Sequence, residues 1–261
     1  MDLNLHSKTA LITGGSRGLG RQCAISLAQE GVNIAICGRT LETLNETVAE
    51  LKEHNVGAIG VVADVMDANS LSRFHNEVVS NFGAVDILVN NAGGHVSRSD
   101  INEVSVQDFK STFDLNLFAG FQLMQEVIPG MRNNHWGRII NIGGLAARSG
   151  GAISGMRNLA LSHFTKTLSN ELGPFGITVN IVHPGATRTE RTAPLNEKQA
   201  AENNLTVEEI ERKSAANIDI RRIVESDEIA HLTTFLASPK AAAITGESIA
   251  AGGGAGSAVF Q

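Results

Sequence analysis

The stretch ThrGlyGlySerArgGlyLeuGly, residues 13–20, decides the fold of this chain. An apolar run at 8–13 leads into it, and a segment with helical periodicity at 18–30 follows it. Glycines permit a tight turn and let a ligand approach the backbone N–H groups at the start of a helix, where negative charge is favoured. The stretch therefore predicts a strand, a phosphate-binding turn and a helix in immediate succession.

The same alternation of short apolar runs and helical segments continues along the chain. Further strands are predicted at 32–38, 57–63, 85–90, 137–143, 176–182 and 247–251. Further helices are predicted at 41–54, 67–82, 105–132, 153–173 and 226–237. The strands are too uniformly apolar to be half exposed, which is typical of a parallel sheet covered on both faces. The sequence thus predicts an α/β fold, a doubly wound parallel sheet in a Rossmann-like three-layer α/β/α arrangement.

No internal repeat or linker interrupts this series, so we expect a single domain over residues 1–261. The longest irregular polar stretch is 187–222, after the sixth predicted strand. Long insertions in compact folds are usually functional, and this one is predicted to be a substrate lid. The alternative is a solvent-exposed surface segment without a functional role.

The composition argues against several classes of function. A net charge of −6 and a pI near 5.8 give no support to nucleic-acid or anionic-membrane binding. No apolar stretch approaches the length of a membrane span, and the first residues lack the pattern of a secretory signal. Cys23 and Cys37, the only cysteines, lack metal-ligand spacing and are predicted to be packing residues. We therefore expect a cytoplasmic protein without a metal site.

Beyond the glycine-rich stretch, the chain carries five further motifs. They are AlaAspVal (63–65), AsnAsnAlaGly (90–93), AspLeuAsnLeu (114–117), ProGly (184–185) and IleThrGly (244–246). With the first motif, they make the chain resemble the short-chain dehydrogenase/reductase family over nearly its whole length. The resemblance implies an oxidoreductase that acts on a small carbonyl or alcohol substrate with a nicotinamide cofactor. It also implies a homotetramer or homodimer assembled through the helices near 105–132 and 153–173.

The resemblance further implies a set of cofactor-binding residues. Those at the pyrophosphate and the adjoining ribose are Gly14, Ser16, Gly18, Leu19 and Gly20. Those at the adenine and the adenosine side are Asp64, Val65, Asn90, Ala92 and Gly93. Those at the nicotinamide end are Pro184, Gly185, Thr187 and Thr189. For Gly93 and Gly185 the alternative is that they only shape turns.

Two arginines predict which nicotinamide cofactor is bound. An NAD-preferring enzyme has an acidic residue at the end of the second strand, where it binds the ribose 2′-hydroxyl. This chain has Gly38 there, followed by Arg39, while Arg17 lies in the glycine-rich stretch. Two guanidinium groups can grip a 2′-phosphate with paired donors, so NADP(H) is the predicted cofactor.

The family's catalytic asparagine, serine, tyrosine and lysine are only partly present. Asn116 in AspLeuAsnLeu matches the asparagine, but AsnIleGlyGly (141–144) stands where the family has two serines. Counting back from GluLeuGly (171–173) puts Ser154 at the tyrosine position and Asn158 at the lysine position. The chain contains no tyrosine at all, so this conclusion does not depend on the alignment.

Other residues are candidates for the missing roles. Ser154, Arg157 and Asn158 are spaced i, i+3 and i+4, which places them on one helical face. Arg157 can stabilise an oxyanion but cannot act as a general acid, and its alternative role is to pack the helix against a loop. His95 borders the substrate cleft by family position, and histidine is the residue type best suited to proton transfer near neutral pH. Its alternative is a passive loop residue.

Three functions remain open at this point. The first is an NADP(H)-dependent oxidoreductase with an altered proton donor, since the cofactor carries the hydride chemistry itself. The second is a non-redox enzyme that has built a new site from Ser154, Arg157 and His95 on this scaffold. The third is an NADP(H)-binding protein without chemistry. The first is favoured because the residues at the nicotinamide end are retained.

Overall fold

The structure, a computed structural model, describes residues 1–94, 101–148 and 153–257. Within these residues, seven parallel strands form one sheet. In chain order they are β1 (Thr9–Thr13), β2 (Asn33–Gly38), β3 (Ala58–Val62), β4 (Ile87–Asn90), β5 (Gly137–Ile142), β6 (Ile177–Pro184) and β9 (Ser248–Ala251). Their spatial order is 3-2-1-4-5-6-9. The predicted doubly wound parallel sheet is confirmed, and each strand begins and ends within two residues of its predicted bounds.

Helices cover both faces of this sheet. One face is covered by α1 (Gly18–Gln29), α2 (Leu41–Lys52) and α9 (Ser226–Ala237), the other by α3 (Ala68–Phe82), α5 (Ala119–Asn133) and α6 (Ile153–Leu172). Because neighbouring side chains of a strand point to opposite faces, Leu11 and Ile12 of β1 enter two different cores. Both are fully buried, which is why the strands appear in the sequence as unbroken apolar runs.

The single helix predicted at 105–132 is divided into two helices in the structure. The structure has α4 (Val106–Phe113) and α5, joined by a π-helical turn at Asp114–Phe118. This turn spans the AspLeuAsnLeu motif and contains Asn116. One wide turn inside a long helix leaves no mark in the apolar periodicity, and such turns are frequent at functional sites.

The 187–222 segment, predicted to be irregular, contains two helices. They are α7 (Thr192–Asn203) and α8 (Val207–Ala215), which contact each other. Two short strands, β7 (Thr187–Arg188) and β8 (Val224–Glu225), pair at the base of the segment. The helix α7 has almost no apolar face, which is why the sequence pattern did not reveal it.

Both cysteines lie in the core. Cys23 and Cys37 are free thiols with no exposed surface, and burial raises the pKa of each to about 12. Their predicted role as packing residues is confirmed. In the part of the chain that the structure describes, no helix is long and apolar enough to cross a membrane. No group of three His, Cys, Asp or Glu residues there could hold a metal ion.

One buried charge connects β5 to its surroundings. Arg138 is only 3% exposed, and burial lowers its pKa to about 10. Its guanidinium donates to the carbonyl oxygens of Gly137 (2.7 Å), Gly176 (3.1 Å) and Ser238 (3.3 Å). Arg138 thus ties the start of β5 to the residue before β6 and to the residue after α9.

We predict that Arg138→Met lowers the free energy of unfolding by about 2–4 kcal/mol, because three carbonyl groups lose their donor. Urea unfolding measures this change. Arg212→Met is the matched control, since that side chain is 78% exposed, and it should change stability by less than about 0.5 kcal/mol. Equal stability of the two variants would contradict the role given to Arg138.

Candidate active site

The glycine-rich turn after β1 lies at the carboxyl edge of the sheet, where the strand order reverses. The strand β1 pairs with β2 on one side and with β4 on the other. The segments that follow β1 and β4 therefore lead to opposite faces of the sheet, and a crevice opens between them. Ligands of doubly wound folds bind in such crevices.

Asn91, directly after β4, holds the glycine-rich turn in place. Its backbone N–H donates to Thr13 Oγ1 (3.0 Å), and its side-chain Nδ2 donates to the carbonyl oxygens of Thr13 (3.0 Å) and Gly14 (3.2 Å). The N–H of Ala92 also donates to Thr13 Oγ1, at 2.9 Å. These hydrogen bonds fasten the end of β1 to the end of β4.

Glycine is required at different positions of this turn for different reasons. Gly14 and Gly18 have φ values of +63° and +59°, a region that other residues rarely adopt. Gly20 has no such constraint, but a Cβ there would lie 2.3 Å from the carbonyl oxygen of Gly14. Gly20, predicted to bind the pyrophosphate, is buried and allows close contact between α1 and the turn.

The cleft beside the turn has a volume of about 400 Å³, within the range of small-molecule sites. Most of the predicted cofactor residues line it, namely Gly14, Ser16, Arg17, Gly18, Leu19, Arg39, Asp64, Val65, Ala92, Gly93 and Thr189. Seven residues that were not predicted to bind the cofactor also line it, namely Cys37, Gly38, Ala63, Met66, Asn91, Leu115 and Arg191. Each lies within two positions of a predicted site residue, which is the signal that could have found it.

The two arginines predicted to select the cofactor both line this cleft and are exposed. Gly38 is the last residue of β2, and a Cβ there would lie 2.8 Å from Ser16 Oγ. An acidic side chain therefore has no room at position 38 unless Ser16 moves.

The prediction that Asn90 flanks the adenosine stays a prediction, and the side chain of Asn90 lies away from the cleft. Asn90 is 9% exposed, and its Nδ2 donates to Asn141 Oδ1 at 3.0 Å. Asn141 in turn donates to Thr165 Oγ1 of α6, also at 3.0 Å. Because successive strand residues point to opposite faces, the amide of Asn90 enters the core while its neighbour Asn91 reaches the turn.

The residues predicted at the nicotinamide end follow β6. Pro184 ends that strand, and a Cβ at Gly185 would lie 2.8 Å from Gly252 Cα, which supports the turn-shaping alternative for this glycine. Thr187 Oγ1 donates to the carbonyl oxygen of Gly185 at 3.0 Å. Of these four predicted residues, only Thr189 lines the cleft described above.

Two predicted catalytic residues converge on Gly94, in the chain that leaves β4. Asn116 Oδ1 accepts from the N–H of Gly94 at 3.3 Å, while its Nδ2 donates to the carbonyl oxygen of Thr112 at 2.9 Å. Arg157 Nη1 donates to the carbonyl oxygen of Gly94. Both backbone polar groups of Gly94 are therefore held by these two side chains.

Arg157 is 9% exposed, and burial lowers its pKa. Its Nε is buried and has no hydrogen-bond partner among the residues that the structure describes. The bond to Gly94 agrees with the alternative in which Arg157 packs its helix against a loop. A guanidinium has five N–H donors, however, so one bond to a carbonyl does not exhaust its capacity to stabilise an oxyanion.

Ser154 and Asn158 are buried on α6, with 7% and 4% of their surfaces exposed. Asn158 Nδ2 donates to the carbonyl oxygen of Gly144 at 3.1 Å. One turn further along, Ser162 Oγ donates to the carbonyl oxygen of Asn158 at 2.9 Å and lies 2.9 Å from His183 Nε2. This helix face is thus connected both to the chain after β5 and to β6.

His183 in β6 is fully buried. The N–H of Gly144 donates to its Nδ1 at 3.0 Å, so the ring proton lies on Nε2 and faces Ser162. Burial, and secondarily the charge of Arg148, lowers the pKa of His183 to about 4. A Cβ at Gly143 would lie 2.5 Å from His183 Nδ1, so the ring occupies the space that a side chain there would need.

His95, the predicted proton donor, lies outside the described residues. Its role therefore stays a prediction.

The fold and the motifs match known proteins. The chain matches the family described as short chain dehydrogenase over residues 8–200. The chain belongs to the short-chain dehydrogenase family. It is 34% identical over 253 residues to 3-oxoacyl-[acyl-carrier-protein] reductase FabG of Staphylococcus aureus, which covers 95% of this chain and 98% of that protein.

Two solved structures similar to this short-chain dehydrogenase contain a nicotinamide cofactor. L-sorbose reductase from Gluconobacter frateurii, complexed with NADPH and L-sorbose, has a TM-score of 0.92 at 30% identity, covering 97% of this chain and 98% of that one. A 7α-hydroxysteroid dehydrogenase, complexed with NADH and 7-oxo glycochenodeoxycholic acid, has a TM-score of 0.86 at 31% identity, covering 97% and 96%. Membership of the family makes this short-chain dehydrogenase an oxidoreductase by type.

The buried His183 predicts a specific acid sensitivity. Because its folded pKa of about 4 lies below the ordinary value of about 6.5, the unfolded chain binds a proton more readily, and stability falls as the pH falls through this window. His183→Asn should therefore reduce the loss of unfolding free energy between pH 7 and pH 5 by about 1–2 kcal/mol.

Urea unfolding at the two pH values measures this difference. His163→Asn is the control, because that histidine is exposed on the same helix as Ser162, and it should leave the acid loss unchanged. An unchanged acid loss in His183→Asn would contradict the assignment of a neutral, buried ring.

Proposed function

We propose that this short-chain dehydrogenase is an NADP(H)-dependent oxidoreductase that acts on a small carbonyl or alcohol substrate through an active site without the family's tyrosine–lysine pair. The observation that carries the cofactor proposal is that Arg17 and Arg39 line one cleft with the glycine-rich turn. Two relatives support a carbonyl substrate, since their names describe a 3-oxoacyl-[acyl-carrier-protein] reductase and an L-sorbose reductase.

The residues of the cleft fit this cofactor. The N–H groups at the start of α1 would hold the pyrophosphate, and Asp64 and Val65 would meet the adenine. Arg17 and Arg39 would bind the 2′-phosphate with charge-assisted donors. When bound, NADPH supplies the hydride, while the protein binds, orients and excludes water.

The proposed site differs from that of its family in the group that donates a proton to the substrate. A serine at position 154 reaches less far than a phenol, and Asn158 carries no charge to lower the pKa of a neighbour. Arg157 and Asn116 can stabilise negative charge on a substrate oxygen, but neither transfers a proton near neutral pH. The donor must come from outside this group, and His95 or a water molecule is the source we propose.

The cofactor proposal predicts that the unmodified protein binds NADPH at least about tenfold more tightly than NADH, because the 2′-phosphate gains charge-assisted contacts. In Arg39→Asp a carboxylate faces that phosphate, so the preference should vanish or reverse. Position 39 is the better choice for this test than position 38, where Ser16 would have to move to admit a side chain. Fluorescence titration with both cofactors measures the affinities.

Arg212→Asp makes the same change of charge at an exposed side chain of α8 and should keep the preference for NADPH. Equal affinities of the unmodified protein for the two cofactors would contradict the role given to the arginines.

The altered site predicts slow turnover. Loss of a general acid typically costs about 10²–10⁴-fold, so simple ketones and β-keto esters should be reduced very slowly. The double variant Ser154→Tyr with Asn158→Lys should raise the rate of NADPH oxidation at least about tenfold, because it restores a phenol and the cation that lowers its pKa. The absorbance of NADPH follows the reaction.

The two single substitutions are the controls, since a phenol without the cation, or a cation without the phenol, restores only half of the pair. Steady turnover by the unmodified protein at ordinary enzymatic rates, about 1–10³ s⁻¹, would overturn the proposal that the family's proton donor is missing.

One observation favours a second candidate, an NADP(H)-binding protein without chemistry. Arg157 and Asn158 are both engaged with backbone carbonyl oxygens, those of Gly94 and Gly144, rather than presented to a substrate. In this alternative the protein binds NADPH with the same preference, but no carbonyl or alcohol substrate is turned over by it.

The 187–222 segment, at whose base Thr189 and Arg191 line the cleft, is proposed as a substrate lid. Assembly into a homodimer or homotetramer is proposed through α5 and α6, whose rings Phe121 and Phe164 contact each other at 5.4 Å. Exposed apolar side chains nearby support it, namely Phe118, Phe121, Met156 and Leu159. Cytoplasmic localisation stays a prediction from the sequence.

A further inference from the structure

A carboxylate of the 187–222 segment lies at the start of α1. Glu190 Oε1 accepts a hydrogen bond from the N–H of Gly18 at 2.7 Å. Gly18 is the first residue of this helix, whose first turn contains no acidic residue. The negative charge that meets the positive end of α1 therefore comes from a residue 172 positions further along the chain.

Local hydrogen bonds fix the direction of Glu190. The N–H of Thr189 donates to Thr192 Oγ1 at 2.9 Å, and the N–H of Thr192 donates back to the carbonyl oxygen of Thr189 at 2.9 Å. On the N-terminal side of Glu190, Arg188 donates hydrogen bonds to the carboxylates of Glu211 in α8 and Glu225 in β8. The chain thus enters α7 through a fixed turn, with Glu190 between two residues, Thr189 and Arg191, that line the cleft.

We propose that Glu190 is a built-in competitor of the cofactor, because its carboxylate occupies the N–H group that the proposed function assigns to the pyrophosphate. The inference rests on that proposed function. A carboxylate and a phosphate are stabilised at a helix N-terminus by the same N–H groups and the same dipole, so one can stand in for the other. Two anions cannot share one N–H donor without strong repulsion, so Glu190 must withdraw when NADP(H) binds.

The contact is suited to such an exchange. Glu190 is exposed, so its bond to Gly18 is a surface interaction of moderate strength that a ligand with several phosphate oxygens can replace. Because the backbone of this turn is held by the hydrogen bonds between Thr189 and Thr192, Glu190 can leave the N–H of Gly18 by rotation of its side chain alone.

The variant Glu190→Gln tests the competition, since it keeps the size of the side chain and removes its charge. We expect it to bind NADPH about fivefold more tightly than the unmodified protein in fluorescence titration. Glu197→Gln is the matched control, because it removes one negative charge from an exposed position of α7 and should leave the affinity unchanged. Adenosine 2′-phosphate is the control ligand, because it lacks the pyrophosphate and should bind both proteins equally.

Each other outcome overturns the inference. If the unmodified protein binds NADPH and Glu190→Gln binds it no more tightly, the competition is absent and the proposed function still stands. If adenosine 2′-phosphate gains as much affinity as NADPH, the effect is one of general charge and not of competition at the turn. If none of the three proteins binds NADPH, the proposed function fails, and the inference fails with it.

Discussion

The site depends on the hydrogen bonds by which Asn91 fastens the glycine-rich turn to the end of β4. A turn that directs its N–H groups toward a ligand directs carbonyl groups away from it, and those carbonyls need donors inside the protein. The amide of Asn91 supplies them to Thr13 and Gly14. The same bonds fix where the chain leaves β4, and so determine where Gly94 meets the side chains of α6.

The proposed cofactor site and the neighbouring residues of α6 differ in how their side chains are used. The end that the proposed function assigns to the adenosine contains the glycine-rich turn, Arg17 and Arg39. At the other end, Asn116 and Arg157 hold both polar groups of Gly94. In the same way, His183 and Asn158 hold both polar groups of Gly144. Four side chains thus fix the backbone of two loops.

The sequence predicted the sheet well because buried parallel strands appear as apolar runs. It predicted the tight turn after β1 because glycine is required where φ is positive. It could not distinguish Asn90 from Asn91, since both are polar and only the alternation of strand side chains separates them. The helix α7 was missed because it has no apolar stripe. The contact between Glu190 and Gly18 joins distant parts of the chain, so no local pattern records it.

The most direct test of this account is a crystal structure of the protein soaked with NADPH. We expect the 2′-phosphate between Arg17 and Arg39, and the pyrophosphate at the N–H of Gly18 with Glu190 displaced. We expect the nicotinamide to face an open space bordered by Asn116 and Ser154. A cofactor bound outside this cleft, or a 2′-phosphate that contacts neither arginine, would contradict the account.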